Sequence, residues 1–320
     1  MKSMKELGEF GLIEKIRRSM RRNNNILVNI GDDTAVIKSD KSKLLLLTTD
    51  MLVEDIHFTL KHTNPIELGM KSIAVNLSDI AAMGGIPKYI LVSVGIPKSL
   101  PIKFIDGMHR GMKKMAKKYN VHIVGGDTVE SPKALVINIA LTGEVEPHNF
   151  ITRSGAKIGD AILVTGSLGY VSAKLQFLRR TIVPIPRVRE AREIAKIRGA
   201  NAMIDVSDGL SSDLGHILEE SKVGARLFAD KIPVSRETIS LCKGSNKKPL
   251  WFALNGGEDY ELLWTSPMNK VNEVIKRVQK HTGTKATVIG VILKKECGNA
   301  IVYSTGKIEK LNKSGYEHFK

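Results

Sequence analysis

One arrangement recurs along this chain: an apolar stretch, one or two small polar residues, and then an aspartate. Leu44-Leu-Leu-Leu-Thr48-Thr49-Asp50 is one instance, Val121-His-Ile-Val-Gly125-Gly126-Asp127 a second, and Met203-Ile-Asp205-Val-Ser207-Asp208-Gly209 a third. Gly31-Asp32-Asp33-Thr34 precedes Ala-Val-Ile, and Asp79 closes Val75-Asn76-Leu77-Ser78 inside a largely apolar helical pattern. A strand points the residue just beyond its end into the crevice at the sheet edge. One such aspartate serves equally well as a turn former or N-cap. Repetition at the edges of separate elements predicts carboxylates brought together. Gathered carboxylates raise one another's pKa and stay ionised only with cations among them. The donors are Asp, Thr and Ser, with neither Cys nor paired His, a hard-oxygen set that selects Mg²⁺ over zinc or copper. Mg²⁺ on a few carboxylates, its open positions taken by water and phosphate, is a phosphoryl-transfer pattern. Asp79 is the sharpest case, because an ionised carboxylate on an apolar helix face is costly without a partner.

Such chemistry also needs groups for the phosphates. Ser207-Asp208-Gly209 opens a helix whose free amides could meet a phosphate, and Gly166-Ser167-Leu168-Gly169 opens another; either could be a plain cap. No Walker A lysine motif, Gly-x-Gly-x-x-Gly fingerprint or Gly-x-Ser-x-Gly elbow occurs in the sequence. Their absence excludes the P-loop, classical dinucleotide-binding and nucleophile-elbow classes.

The elements that must position these residues alternate between strand and helix. The chain has 320 residues with 42% hydrophobic and 26% charged content, enough for about two domains with a real core. No apolar run approaches the ~20 residues of a membrane span, and residues 1–18 lack the apolar core of a signal peptide. Cys242 and Cys297 are too few and too far apart for a disulfide scaffold or zinc site, so a reducing cytoplasm is expected. The net charge of +16 is spread over amphipathic segments and aromatics are only 5%, which argues for a solvated basic surface rather than a nucleic-acid platform. Helices are expected over 6–18, 64–83, 101–119, 209–220 and 269–281. Strands are expected over 44–49, 89–95, 121–124, 134–145, 161–165, 203–206, 287–293 and 300–303. The polar connector from Pro147 to Gly159 divides the chain into 1–147, carrying metal, ATP and dimer functions, and 148–320, a second α+β unit.

Taken in order, the motifs resemble the thiamine-monophosphate kinases of the aminoimidazole-ribonucleotide-synthetase-like ATP-binding superfamily. The matching segments begin with Gly8-Glu9-Phe10 and Gly31-Asp32-Asp33-Thr34. They continue with Thr48-Thr49-Asp50 through His57-Phe58, Lys71 to Gly85, Gly125-Gly126-Asp127-Thr128 and Arg153-Ser154-Gly155. They end with Asp205-Val206-Ser207-Asp208-Gly209, Gly256-Gly257-Glu258-Asp259-Tyr260-Glu261 and the tail around Gly315-Tyr316 and His318-Phe319. The resemblance implies a two-domain α+β architecture of mixed sheets packed with helices, pairing into a homodimer. It implies transfer of the γ-phosphoryl of ATP to thiamine monophosphate, with several Mg²⁺ ions. By the same resemblance Asp33, Thr48, Thr49, Asp50, Asp79, Asp127, Asp205 and Asp208 would hold metal. Gly126, Arg153 and Ser207 would contact ATP, and His57, Glu258 and Tyr316 the thiamine end. A carboxylate and an aromatic face suit a cationic thiazolium. The acceptor oxygen of a phosphate monoester is already ionised at neutral pH, so no general base is assigned. Thr34 stands where relatives often carry Cys, and Asp55 where many carry Gly. The early reactive cysteine of selenophosphate synthetases and the terminal one of hydrogenase-maturation relatives are missing, since the first cysteine is Cys242 and the chain ends His318-Phe319-Lys320.

Overall fold

The computed structural model describes residues 3–319 except 22, 41, 181 and 317. The first half builds a six-stranded sheet from β1 (Ile26–Val28), β2 (Ala35–Lys38), β3 (Leu44–Val53), β4 (Ile86–Pro97), β5 (His122–Ser131) and β6 (Val136–Val145). Their spatial order is β1-β2-β3-β6-β4-β5, antiparallel throughout except for β4 beside β5. Three helices accompany it: α1 (Met4–Ser19), α2 (Pro65–Ala82) and α3 (Ile102–Tyr119). The start of α2 follows from its sequence. The Asn64 side chain accepts the amides of Ile66 and Glu67, and Pro65 occupies the first turn, where its missing N–H costs nothing. α2 and α3 pack backbone to backbone: a Cβ on Gly69 would stand 1.9 Å from the Met108 carbonyl oxygen, and one on Gly111 2.0 Å from that of Ile66.

The second half forms a seven-stranded sheet from β7 (Ala161–Thr165), β8 (Ala202–Asp205), β9 (Gly224–Phe228), β10 (Leu262–Ser266), β11 (Ala286–Leu293), β12 (Asn299–Val302) and β13 (Ile308–Lys310). The order is β13-β12-β9-β11-β7-β10-β8, and only β9 and β12 run parallel. Its helices are α4 (Tyr170–Leu178), α5 (Val188–Lys196), α6 (Leu210–Ser221), α7 (Arg236–Leu241), α8 (Pro249–Asn255) and α9 (Val271–Thr282). Strands β7, β8 and β10 are buried along their whole length, which is why they read as continuous apolar runs without alternation.

The helix that joins the halves is α2. One side lies on the first sheet, and the other meets β8 and α5. A single apolar core therefore runs from Leu46 and Ile139 through Leu77 and Ile80 to Met203 and Trp264. Among the described residues nothing covers the far face of the first sheet: Leu47, Met51, Tyr89, Leu91, Val124 and Val129 lie exposed there. Helix α1, kinked at Gly8, sits against the second half. Phe10 packs at a tilt against His216, Arg17 reaches Glu220 at 3.5 Å, and Glu9 accepts the amide of His318 at 3.0 Å. Among the described residues no helix is long and apolar enough to cross a membrane.

The α+β, two-sheet architecture agrees with the sequence expectation. Two strands differ from it in a way that matters. The strand expected to stop at Thr49 continues to Val53, and the one expected to stop at Val124 continues to Ser131. Asp50 and Asp127 thus lie inside strands rather than beyond their ends. Ladder partners on β6 and β4 hold both segments extended past their apolar stretches.

Candidate active site

Asp33, Asp79 and Asp205 each place a carboxylate oxygen within 4.8 Å of the others. They arrive from three elements: the loop before β2, the last turn of α2, and the final residue of β8. Asp50 joins from β3, where its amide donates to Asn76 Oδ1 of α2 at 3.0 Å. Hydroxyls fix two of the carboxylates. Thr48 Oγ1 donates to Asp79 Oδ2 at 2.6 Å, and Ser78 Oγ to Asp205 Oδ2 at 2.5 Å. Arg153 closes the group: its guanidinium donates to Asp33 Oδ1 at 2.5 Å, and its amide to the Asp32 carboxylate at 3.2 Å.

Burial and mutual repulsion work against these charges. Burial, then Asp33, raises Asp205 to about 8 and Asp50 to about 6. Asp32 is raised to about 7 by burial and by Asp33. Burial lifts Asp33 despite its ion pair. Burial, followed by Asp50, Asp205 and Asp33, holds Asp79 well above the usual carboxylate range. Burial disfavours the Arg153 cation, yet Asp33 and Asp32 keep its pKa above the ordinary arginine value.

The cluster fits a divalent cation. Asp33 Oδ2 is buried and has no hydrogen-bond partner among the described residues, so its lone pairs are left unspent on a residue of the cluster. The available donors are carboxylate and hydroxyl oxygens, which Mg²⁺ prefers. A stability prediction follows. A carboxylate whose folded pKa is raised binds more protons folded than unfolded, so it destabilises the fold as pH rises from its ordinary value through the raised one. With EDTA present, the melting temperature is expected to climb as pH falls from 8.5 to about 5.5, the window set by Asp205, Asp32 and Asp50. Below about 4.5 it should fall again as the ion-paired Glu146 and Glu193, both held near 2, take up protons. Excess Mg²⁺ should flatten the upper arm. A melting curve with no upper arm in EDTA would show that the cluster carries no such charge penalty.

Thr49, Gly126 and Asp127 are not brought to this cluster. Thr49 is exposed on the far face of the first sheet, with its hydroxyl on the Ile139 carbonyl at 2.9 Å. Asp127 is level with Met51 in the same cross-strand row, three strands away from β3 and so roughly 14 Å off. Gly126 packs so tightly on β4 that a Cβ would stand 1.7 Å from the Val92 carbonyl oxygen.

At both helix starts considered for phosphate, amides already have carboxylate partners. Asp213, on the first turn of α6, accepts the amides of Asp208 at 3.1 Å and Gly209 at 3.0 Å, so that helix start is already capped by a buried carboxylate. Asp259 does the same before α4, accepting the amide of Gly169 at 2.6 Å. Ser207 holds the adjoining loop through its carbonyl, which accepts the amide of Glu258 at 2.7 Å. A carboxylate oxygen of Asp208 lies within 4.8 Å of donor atoms of Asp213 and His216, and burial followed by Glu9 raises the Asp208 pKa to about 6.

The three residues expected at the substrate's organic end do come together. The rings of His57 and His318 are 5.3 Å apart, and Tyr316 meets His318 edge-on at 5.0 Å. His57 Nδ1 accepts the amide of Val53 at 3.0 Å, so the neutral ring carries its proton on Nε2. Burial, His318 and Lys71 lower its pKa and favour that neutral form. Glu258 has a left-handed backbone, φ +69°, and its carboxylate meets Lys71 Nζ at 2.5 Å. Tyr260, also left-handed at φ +51°, is a neighbour of the same charges: burial first, then Glu258 and the aspartates, raises its hydroxyl pKa.

Matches to known proteins follow this geometry. The family model described as AIR synthase related protein, N-terminal domain, matches residues 31–145, and its C-terminal counterpart matches 157–302. A thiamine-monophosphate kinase from Buchnera aphidicola of Schizaphis graminum is 38% identical, covering 98% of this chain and 99% of its own. One from Aquifex aeolicus is 36% identical, over 99% of both. This chain belongs to the AIR synthase related family, among the thiamine-monophosphate kinases. A solved structure described as AaThiL complexed with AMPPCP and TMP superposes on this family member with a TM-score of 0.86 at 34% identity, covering 99% of both chains.

Several residues of this kinase-family site had been given no individual role from sequence: Asp32, Lys71, Asn76, Ser78, Asp213 and Tyr260. For those on α2 a signal was present. Lys71 is eight residues before Asp79, on the same broad helical face, in a stretch with no other charged residue.

Proposed function

We propose that this protein transfers the γ-phosphoryl group of ATP to the phosphate of thiamine monophosphate, forming thiamine diphosphate and ADP. The observation that carries the reading is the junction of two unlike sites around α2: the Asp33–Asp50–Asp79–Asp205 cluster with Arg153, and the Glu258–His57–Tyr316 group. The first suits a polyphosphate and its cations. The second offers a carboxylate and aromatic rings to an organic cation. The bond that breaks is the γ-phosphorus to bridging-oxygen bond of ATP, and the one that forms joins that phosphorus to an acceptor phosphate oxygen. Asp33, Asp50, Asp79 and Asp205 would hold Mg²⁺, with Thr48 and Asp208 at the margin. When bound there, Mg²⁺ supplies charge neutralisation to the carboxylates and the phosphates. Arg153 adds a fixed cation, anchored at both its amide and its guanidinium, beside the transferring group. The acceptor oxygen needs no deprotonation, so alignment and charge carry the rate of an in-line displacement.

We further propose that the chain works as a homodimer paired through the far face of the first sheet, with the domain boundary near 147/148. Gly126 and Asp127 border a cavity of about 860 Å³ between α3 and the β4–β5 edge, walled by Val92, Ile105, Met108 and Met112. Its apolar walls suit a flat base, with Asp127 at the mouth. Asp127 is three strands from β3, which carries Asp50 of the chain's own aspartate cluster. In a dimer, the ATP held at one copy's β5 would extend to the cluster of the other. Free cysteines at 242 and 297 support a reducing, cytoplasmic location.

The deciding assay supplies ATP, Mg²⁺ and thiamine monophosphate, with free thiamine as a parallel acceptor. Thiamine diphosphate from the monophosphate alone is the expected result. No product from either acceptor would overturn the reading.

A further inference from the structure

Lys71 is fully buried on α2, at 1% exposure, yet it ends at neither the aspartate cluster nor solvent. Its ammonium reaches Glu258 Oε1 at 2.5 Å and the His57 carbonyl oxygen at 3.3 Å. One residue of the first half thus touches both the loop carrying His57 and the loop carrying Glu258. A buried ion pair is a poor device for stability alone, because desolving two charges offsets their attraction and an apolar side chain would pack as well. Here the pair is also one-sided. Glu258 remains 26% exposed, and no hydrogen bond reaches its Oε2 among the described residues. The backbone at Glu258 is strained as well: φ is +69° at a residue with a Cβ, held by its amide on the Ser207 carbonyl oxygen. A desolvated lysine and a left-handed glutamate together leave one carboxylate oxygen, Oε2, without a hydrogen bond among the described residues on a partly exposed side chain.

We propose that Lys71 is a positioning residue for recognition of the cationic end of the acceptor: it aims Glu258 and fixes the His57 loop against it, across the two halves of the chain. This rests on the acceptor proposed above. Lys71 touches no substrate. Its Nζ occupies Oε1 and leaves Oε2 to the thiazolium, so its removal should release Glu258 to other rotamers and cost acceptor binding specifically.

The test compares Lys71→Met, Glu258→Gln and the double variant in steady-state assays with ATP, Mg²⁺ and thiamine monophosphate, each variant first checked for a cooperative melt. The expected result is a rise of at least tenfold in KM for thiamine monophosphate in Lys71→Met, with KM for ATP within twofold of wild type. The double variant should be no more than twofold worse than Glu258→Gln, because Lys71 acts through that carboxylate. Lys71→Arg keeps the charge in a different shape. It should give a smaller rise confined to the acceptor, and it serves alone should Lys71→Met not fold. A KM for thiamine monophosphate that does not move, equal rises for both substrates, or fully multiplicative effects in the double variant would overturn the role of Lys71. A wild-type protein that forms no thiamine diphosphate would overturn the acceptor assignment, and this proposal with it.

Discussion

An Asp79→Asn variant is expected to lose turnover by at least about a thousandfold while melting, in EDTA, at a higher temperature than the wild type. The two effects have one cause. Asp79 sits in the last turn of α2 with its carboxylate beside those of Asp33 and Asp205, and burial together with the neighbouring aspartates holds its pKa well above the ordinary range. In the absence of cations its ionised form therefore opposes folding. Asparagine keeps the shape and can still accept the Thr48 hydroxyl, which lies 2.6 Å from Asp79 Oδ2. The substitution removes a repulsive charge and little else from the metal-free protein. In the working enzyme that same charge is what a cation and a transferring phosphoryl group require. Two measurements decide the matter: the rate of thiamine diphosphate formation, and a thermal melt with and without Mg²⁺. Turnover within tenfold of wild type would remove Asp79 from the cation site. A lower melting temperature in EDTA would mean that Asp79 is a structural group whose charge the fold uses.

The carboxylates were legible in the sequence because their chemistry is: apolar stretches ending in Thr-Thr-Asp, Gly-Gly-Asp or Ser-Asp-Gly name their own donors. Where each would point was less legible. Asp127 was expected past a strand end, yet Gly125 and Gly126 remain paired to β4, and a bulge near Ile90 shifts the register of β5 by one residue. One such shift moves every following side chain to the opposite face of the sheet, and nothing in the local sequence announces it. Asp213 illustrates a second limit. Its value lies in accepting the amides of Asp208 and Gly209, which depends on how the chain turns into α6 rather than on residue type. It also occupies two of the amides that the sequence offered to a phosphate. Lys71 shows a third. Its partner Glu258 is 187 residues away, so the pair exists only once α2 has been placed between the two sheets. Short-range chemistry was readable. Pairings that the assembled core creates were not.

The same displacement of Asp127 leads to the second large effect. If one copy's β5 serves the other copy's aspartate cluster, Asp127→Asn and Asp79→Asn disable sites that are divided between chains. Each variant should be nearly inactive alone. Mixed in equal amounts and allowed to exchange subunits, half of the dimers become heterodimers, and in each of these one site has lost both carboxylates while the other has lost neither. About a quarter of wild-type activity should return, because the two sites of a twofold dimer draw on the same pair of surfaces. The exposed face that would join the copies carries Leu47, Met51, Tyr89, Leu91, Val124 and Val129, an apolar surface of the kind that marks an interface. A charge placed in its middle, as in Leu91→Glu, should lower both the dimer fraction in solution and the activity. Zero recovery on mixing, with exchange verified by a mass-tagged subunit, would place Asp127 and Asp79 in service of the same chain's site. The β5 edge would then have to reach its own aspartates by a movement of the sheet rather than through a second copy.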